Sequence, residues 1–438
     1  MNKVEAEDFI YKSYLKAEKF IDYSDKDSSK RHPELTKNAI ISRSKTPAVL
    51  VTGSKGKGSV ACMISQILST KKRVGLMTSP HISNFCERFR VNGVPISDED
   101  FTSRVSAIES EIEEIDAGLS ENEYISPMGI QAMLALDYFD LEHTDYNIFE
   151  CGKGARFDDV NSIPHEYSVI NRIFLEHTRE LGDTLSEIAY DKSHIITEGQ
   201  KCVYIAKQSP EALSVIRDRA SGLGVKLKEY GKDFWAENIR FERSGMLFDV
   251  QIGEERYSDI LVPLLGKHQA ENAALAMAIC QDIFQDYGLP YDIEMIRKSL
   301  LTLKWSGRME VLSSSPFIML DACINRESCG AVKDVLSNLG LGDAKDSITI
   351  VMGIPDDKDY LGVAKEMSDI SSQIILTRSS NPHYVFTDKQ REVLCNAGIE
   401  TVQTVSVEEA ISIAKKKSNN IVILGTTSVV ADVKRIYS

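Results

Sequence analysis

The sequence predicts an α/β fold: a doubly wound parallel sheet with a small antiparallel addition, followed by a smaller, Rossmann-like α/β domain. Three observations support it. Short apolar segments alternate with helix-forming segments along most of the 438 residues, as in parallel sheets wrapped by helices. A glycine-rich turn joins the first apolar segment to a helix with one buried face. The alternation stops near residue 300 and then starts again, which indicates two domains.

The first domain is assigned to residues 1–300, including a helical segment at its N-terminus. An Asn-Gly pair at 92–93 predicts a tight hairpin, and a Ser-Pro pair at 126–127 predicts a helix start. A capping box at 184–187 begins the helix that carries Lys192. The strands of this domain are predicted at 48–52, 73–78, 148–150 and 168–170.

The second domain is assigned to residues 305–438. Before it, residues 235–262 alternate apolar and polar side chains around Ser244-Gly245, which predicts an antiparallel hairpin at the edge of the first domain. A helix is predicted at 269–283 and a hinge at 300–308. The strands of the second domain are predicted at 317–320, 347–351, 373–376 and 421–424.

Composition excludes several classes of protein. An apolar fraction of 42% supports packed cores and excludes a disordered chain. The net charge of -14 disfavours general binding to nucleic acids or to anionic membranes. No apolar run approaches the ~20 residues of a membrane span. The eight cysteines form no Cys-x-x-Cys pair, as expected of reduced core thiols. We therefore expect a cytoplasmic monomer with neither nucleic-acid nor membrane partners.

The strongest functional signal is the run Thr52-Gly53-Ser54-Lys55-Gly56-Lys57-Gly58-Ser59, which has the features of a P-loop. Glycines let backbone N–H groups turn inward around phosphate oxygens, and a helix N-terminus and a lysine add positive charge. Two residues, instead of the usual four, separate Gly53 from the Gly-Lys pair. A glycine-rich turn with a solvated lysine is the alternative. The nucleotide-binding residues predicted here are Ser54, Lys55, Gly56, Lys57, Gly58 and Ser59.

This shortened loop resembles that of the Mur ligases, and other segments resemble their folylpolyglutamate/dihydrofolate synthase branch. The matches follow the order of that branch at close to its spacings, and they extend along nearly the whole chain. They are Thr78-Ser79-Pro80-His81, the strand at 87–91, the run at 150–161, Glu176-His177-Thr178 with 181–182 and 191–192, 266–269 with Asn272, Gly307-Arg308, and Asp321.

The resemblance implies an ATP-dependent ligase that joins a small carboxylic acid to an amine, such as an amino acid, through an acyl phosphate. ATP and Mg²⁺ are the implied cofactors. Ser79, Glu150 and His177 would hold the metal, and Lys57 and His177 would act in catalysis. Glu150 also ends a predicted strand, where ligands bind in open α/β sheets.

Four further roles are implied by the same resemblance. Asn272 would contact adenine, while Arg308 and Asp321 would bring the second domain onto the nucleotide and exclude water. Lys192 matches a lysine that carbon dioxide carbamylates, which would make it a carboxylate for a second magnesium and a catalytic residue. Without the resemblance, Lys192 and Arg308 would be read as surface residues.

Three departures from the branch fall near its substrate pockets. The segment Ser126–Gly129 lacks the aromatic residue that helps hold a pterin, and Ile324 replaces a histidine that helps hold glutamate. Lys153 adds a cation to the nucleotide segment. We therefore expect retained ATP chemistry, altered substrate pockets, and poor use of folates with glutamate.

Several functions stay open on the sequence alone. Folate is one candidate acid, and a ligase of the same mechanism with a different acid and amine is the first alternative. A non-catalytic nucleotide-binding regulatory protein is the second, although such a protein has no need of Lys57, Glu150, His177 and Lys192 together. The short loop and the missing guanine-binding Asn-Lys-x-Asp motif disfavour a plain P-loop kinase or GTPase.

Overall fold

A computed structural model describes residues 1–21, 32–341 and 344–437. The first of its sheets has eight strands, and the phosphate-loop candidate follows the central strand β1. The strands are β1 Ala48–Thr52, β2 Val74–Met77, β3 Phe89–Val91, β4 Val94–Pro95, β5 Tyr146–Glu150, β6 Tyr167–Ile170, β7 Cys202–Ile205 and β8 Leu227–Glu229. Their order is β4-β3-β2-β5-β1-β6-β7-β8, parallel except at β3 and β4.

A second sheet, of three antiparallel strands, corrects the prediction for residues 235–262. Its strands are β9 Phe234–Glu242, β10 Gly245–Ile252 and β11 Glu255–Val262. The predicted hairpin exists, with Gly245 paired to Glu242, but β11 completes a separate sheet and the hairpin does not extend the edge of the first. Its apolar side chains, such as Phe248 and Val250, are buried in the main core. Burying this face stabilises the separate sheet more than hydrogen bonding to an edge strand of the first sheet would.

A third sheet of six strands forms the C-terminal part, as predicted. Its strands are β12 Glu310–Ser314, β13 Phe317–Asp321, β14 Thr349–Gly353, β15 Gln373–Leu376, β16 Thr401–Gln403 and β17 Asn420–Gly425. Their order is β12-β13-β17-β14-β15-β16, and only β12 is antiparallel. The sequence analysis placed neither this strand nor β7, β8, β11 and β16.

Helices cover the sheets. They are α1 Lys3–Ala17, α2 Glu34–Arg43, α3 Lys57–Leu68, α4 Asp98–Ala117, α5 Pro127–Leu141, α6 Thr178–Leu181, α7 Leu185–Ser193, α8 Pro210–Gly222, α9 Lys267–Asp286, α10 Ile293–Leu301, α11 Arg326–Asn338, α12 Tyr360–Ser368, α13 Lys389–Asn396, α14 Val407–Lys417 and α15 Thr427–Tyr437. The predicted caps at Ser126 and Thr184 begin α5 and α7.

Two apolar cores lie on the two faces of the first sheet. Alternate residues of β1 face opposite sides: Val49 and Val51 pack with α3, α9 and the three-stranded sheet. Ala48 and Leu50 pack with α1, α4 and α5. The fully buried strands explain their nearly continuous apolar sequence. Because β1, β2, β5 and β6 are parallel, their carboxyl ends lie at the same edge of the sheet, and the candidate site lies there.

Candidate active site

The phosphate-loop candidate is a tight turn between β1 and α3. Gly53 has φ +140° and Gly56 has φ +77°, backbone conformations that other residues rarely adopt. A Cβ atom at Gly53 would lie 2.9 Å from the backbone carbon of Asn171. The Ser54 amide donates to the Arg172 carbonyl at 3.0 Å, which ties the loop to the segment after β6. The turn therefore has the backbone shape of an anion-binding loop.

The six predicted loop residues have different surroundings. Lys57 begins α3, donates from Nζ to the Gly53 carbonyl at 3.1 Å, and lines a cavity together with Ser79 and His177. Ser54 Oγ is engaged by the backbone of Phe174, and the exposed Lys55 ammonium lies 5.6 Å from the Phe174 ring. The remaining loop residues are Gly56, which caps α3, Gly58, and the buried Ser59.

Glu150 and Ser79 meet at the carboxyl ends of β5 and β2. Glu150 is only 4% exposed, and its Oε2 accepts a hydrogen bond from the Ser79 amide at 2.9 Å. Burial raises the pKa of the Glu150 carboxyl, and the opposing effects of Lys57 and the Ser79 amide are smaller. A buried carboxylate with a raised pKa gains stabilisation from any cation that binds beside it.

His177 is the third of the residues predicted to hold the metal. It has φ +46° and precedes the short helix α6, and its side chain lines the same cavity as Lys57 and Ser79. Partial burial lowers the pKa of its imidazole, which keeps a nitrogen lone pair available at neutral pH. The structure therefore brings Lys57, Ser79 and His177 to one cavity, and Glu150 is joined to this group through the Ser79 amide.

Lys192 is fully buried beneath the phosphate loop and is not a surface lysine. Its Nζ donates to the carbonyls of Gly53 at 3.0 Å and Lys153 at 2.6 Å, and it pairs with Glu176 at 3.3 Å. Burial, aided by the charge of Lys57, lowers its pKa to about 8. Two carbonyls thus accept hydrogen bonds from the ammonium, while the buried Glu176 Oε1 pairs with its charge but accepts no hydrogen bond in the described residues.

Asn272, Arg308 and Asp321 come from segments beyond the first sheet. Asn272 Oδ1 accepts from Asn171 Nδ2 at 3.1 Å, directly beside the phosphate loop. Asp321 ends β13 and accepts from the Met309 amide at 2.8 Å, and burial raises its pKa to about 6. The Arg308 charge acts on both Asp321, at the end of β13, and Glu150, at the end of β5.

The cavity beside Lys57 has a volume of about 480 Å³. Part of its surface is formed by Tyr11, Tyr14, Tyr124 and Phe157, which we call the aromatic wall. These side chains were not predicted from the sequence, because only residues 126–129 were compared with the aromatic platform of the branch. Tyr11 and Tyr14 are three residues apart on α1, a spacing that places them on one face and could have revealed them.

The segment expected to hold the amine substrate is less polar. Ile324 packs against the main core, and Asn325 caps α11 by accepting from the Ser328 amide at 2.9 Å. The cations nearby in sequence are already paired: Arg326 with Glu366 at 2.7 Å. Lys333 pairs with Asp369 at 2.5 Å. Both cations therefore already have carboxylate partners within the chain.

Within residues 1–21, 32–341 and 344–437, no three His, Cys, Asp or Glu side chains cluster closely enough to hold a metal ion by themselves. In the same ranges, no helix has the length and apolar character needed to cross a membrane.

Comparisons with known proteins agree with this geometry. Residues 51–280 match the model of the Mur ligase middle domain. A dihydrofolate synthase/folylpolyglutamate synthase of Bacillus subtilis is 33% identical over 334 residues, which cover 75% of this chain and 76% of that protein.

Two solved structures have the same fold. The apo form of L. casei folylpolyglutamate synthase superposes with a TM-score of 0.82 at 24% identity, covering 100% of this chain and 99% of that one. A folylpolyglutamate synthase complex with AMPPCP and folate gives 0.77 at 25% identity and covers 99% of both chains. The chain therefore belongs to the Mur ligase family, in its branch of folylpolyglutamate and dihydrofolate synthases, and is an ATP-dependent ligase.

Proposed function

We propose that this ligase activates a small carboxylic acid with ATP and joins the resulting acyl phosphate to an amine. The observation that carries the proposal is the single cavity lined by Lys57 of the phosphate loop, by Ser79 and His177, and by the aromatic wall. An organic acid on the aromatic wall would have its carboxylate near the nucleotide phosphates. Closely held reactants of this kind react much faster than the same groups in solution.

The nucleotide would bind across the phosphate loop. The loop amides and Lys57 would hold the β and γ phosphates, because donors and positive charge converge there. Asn272, which is buried beside Gly56, would contact the adenine. We divide the chain into domains at 1–300 and 305–438, so Arg308 and Asp321 would join the nucleotide when the second domain closes over it.

Magnesium fits the residues present, provided that the nucleotide supplies further ligands. Mg²⁺ binds proteins through one or two oxygen ligands together with phosphates and waters. The buried Glu150 carboxyl and the Ser79 hydroxyl provide oxygen at the ends of β5 and β2, and His177 faces the same cavity. When bound, the metal would neutralise phosphate charge as the carboxylate approaches, while Glu150 is held by the Ser79 amide.

We also propose that Lys192 is carbamylated. Its lowered pKa supplies the neutral amine that reacts with carbon dioxide. The carbamate cannot retain all the donor contacts of the ammonium, so the side chain must turn away from the carbonyls of Gly53 and Lys153. Glu176 would then need a cation beside it, which a second magnesium would provide.

The identities of the acid and the amine are the least determined part of the function. The related enzymes are named for folates, and the aromatic wall can accept a planar ring. The segment expected to hold the amine, residues 323–325, has Ile324 where the branch has a histidine. The cations nearby in sequence, Arg326 and Lys333, are paired with carboxylates. We propose that glutamate is a poor amine here and that folate is one candidate acid; a different acid and amine is the second candidate function.

The test is a mass-spectrometric assay with ATP, Mg²⁺, dihydropteroate or tetrahydrofolate, other aromatic acids, and labelled amino acids or simple amines. ADP release that requires both an acid and an amine, with a matching amide product, is the expected result. Rapid glutamylation of a folate would contradict the altered amine pocket. Nucleotide binding without ADP release for any pair would favour the regulatory alternative. Sedimentation and cell fractionation would test the further proposal of a cytoplasmic monomer.

A further inference from the structure

Arg88 is a buried cation whose hydrogen bonds in the described part of the chain go to uncharged groups. It ends the turn Phe85–Arg88 and is 7% exposed. Its Nε donates to His81 Nδ1 at 3.0 Å, and its Nη1 donates to Gln131 Oε1 at 2.8 Å. Within the described residues, no carboxylate oxygen lies within 4 Å of its guanidinium nitrogens. The carboxylates of Glu150 and Glu7 act on Arg88 only from beyond this distance, so its charge is oriented by uncharged groups and has no carboxylate of the described chain in direct contact.

Both partners are fixed in the neutral acceptor role. Because a guanidinium N–H can only donate, His81 Nδ1 accepts the bond from Arg88 Nε with its lone pair. Gln131 donates from Nε2 to the Pro127 carbonyl at 2.8 Å, which directs its oxygen toward Arg88. These contacts hold the plane of the guanidinium in one position.

The acid next to Arg88 in the sequence makes its contacts elsewhere. Glu87 accepts from the amides of Ile82 at 3.0 Å and Ser83 at 3.1 Å, on the other side of the turn. A buried ion without a counter-ion in direct contact carries a desolvation penalty, and for Arg88 burial outweighs the longer-range attraction of Glu150 and Glu7. Such an arrangement is typical of a site whose counter-ion is a ligand, and guanidinium geometry matches a planar carboxylate.

Arg88 faces the cavity that contains Lys57 and Ser79. We propose that Arg88 binds the reacting carboxylate of the acid substrate and holds it beside the phosphate loop. This inference rests on the proposed function, because it assigns a residue to one of its two substrates. The aromatic wall would hold the organic part of the acid, and Arg88 its anionic end.

The proposed contact changes during the reaction. A carboxylate oxygen forms a bond to the γ-phosphorus as the bond from that phosphorus to the ADP oxygen breaks. The amine nitrogen then bonds to the acyl carbon, phosphate leaves with the bridging oxygen, and the nitrogen loses a proton to water. The amide product is neutral where the acid was charged. Arg88 therefore binds the substrate more tightly than the product, which favours product release.

The test compares benzoate with benzamide, which have nearly the same shape but differ in charge. Their dissociation constants are measured on the full chain by ligand-observed NMR. We expect wild-type protein to bind benzoate at least tenfold more tightly than benzamide, and Arg88→Met to lose this preference. Arg90→Met is the matched control, because Arg90 is a partly buried arginine of β3 that stacks on Trp305 at 5.3 Å. It should keep the preference.

A second variant covers the case in which Arg88→Met does not fold. Gln131→Glu places a carboxylate against Arg88 and so supplies the counter-ion from within the chain. We expect it to remove the benzoate preference while AMPPCP binding at the phosphate loop is unchanged. An unchanged preference in Gln131→Glu, or a wild-type protein that binds the two probes equally or not at all, overturns the proposal.

These outcomes are separate from a failure of the proposed function. If ATP-dependent amide formation occurs without any carboxylate preference at Arg88, this inference is wrong and the function stands. If the preference is present but no acid and amine pair yields ADP, the anion site stands and the proposed ligation is wrong.

Discussion

Replacing Asp321 by asparagine should stabilise the folded protein at neutral pH. Asp321 accepts a hydrogen bond from the Met309 amide, and an asparagine oxygen can accept the same bond. Burial raises the pKa of the Asp321 carboxyl from 3.8 to about 6, and Arg308 offsets only part of this. The ionised carboxylate is therefore a destabilising group in the folded state, and the neutral amide removes the cost.

The pKa shift sets the magnitude and the sign. A change of one in pKa corresponds to about 1.4 kcal/mol, so ionised Asp321 costs about 3 kcal/mol of unfolding free energy above pH 6. Because the pKa of Asp321 is higher in the folded state, the protonated carboxyl contributes to the free energy of unfolding. This contribution is fully present below pH 3.8 and is lost as the pH rises through about 6. The gain in Asp321→Asn should thus be about 3 kcal/mol at pH 7.5 and about 1 kcal/mol at pH 4.5.

Urea denaturation at the two pH values, followed by circular dichroism, measures this difference. Asp369→Asn is the control, because pairing with Lys333 lowers the pKa of that exposed carboxyl and its removal should not stabilise. We also expect Asp321→Asn to lower ATP turnover, since the residue is proposed to serve the nucleotide. An unfolding free energy that does not increase at pH 7.5, or that increases equally at both pH values, would refute the reasoning.

Three further predictions concern the phosphate loop and the groups around it. Lys57→Ala should lower ADP release at least 100-fold with no change in the thermal midpoint, because its ammonium faces the cavity; turnover at the wild-type rate would contradict the assignment. With a pKa of about 8, roughly a quarter of Lys192 is neutral at pH 7.5. ¹³C-bicarbonate should therefore give a carbamate NMR signal that Lys192→Ala lacks, and short carboxylates should partly restore that variant's activity. A protein that shows only the free amine under saturating bicarbonate would disprove carbamylation. Gly58→Ala should destabilise by about 1–3 kcal/mol, because the new Cβ would lie 2.7 Å from Trp305 Cζ2; an unchanged urea midpoint would show that Trp305 moves aside freely.

The local features of the chain were predictable because they depend on residues close in sequence. The phosphate loop follows from glycines between an apolar strand and a helix, and both caps at Ser126 and Thr184 follow from short motifs. The alternation of strands and helices predicted both parallel sheets. Short strands such as β8 and β16 have only three residues each, too few for a recognisable period.

The order of the strands also explains why Glu150 could be assigned to the site from the sequence. A parallel strand that ends in a carboxylate places it at the edge where the other strands end. The three-stranded sheet shows the limit of this reasoning. Alternation predicted its hairpin, but whether the hairpin joined an edge or packed separately depended on α9, which follows it in the chain.

Local sequence therefore determined the fold class and the phosphate loop, while the other candidate nucleotide ligands follow from the family resemblance and stay predictions. The tertiary structure decided which side chains are buried and which charges are paired. Lys192 lies under a loop formed some 140 residues earlier, and α1 brings Tyr11 against Arg88. Arg326 is neutralised by Glu366, which lies 40 residues further along the chain. Backbone periodicity is a short-range property of the chain, whereas desolvation and ion pairing depend on contacts between segments that meet only after folding.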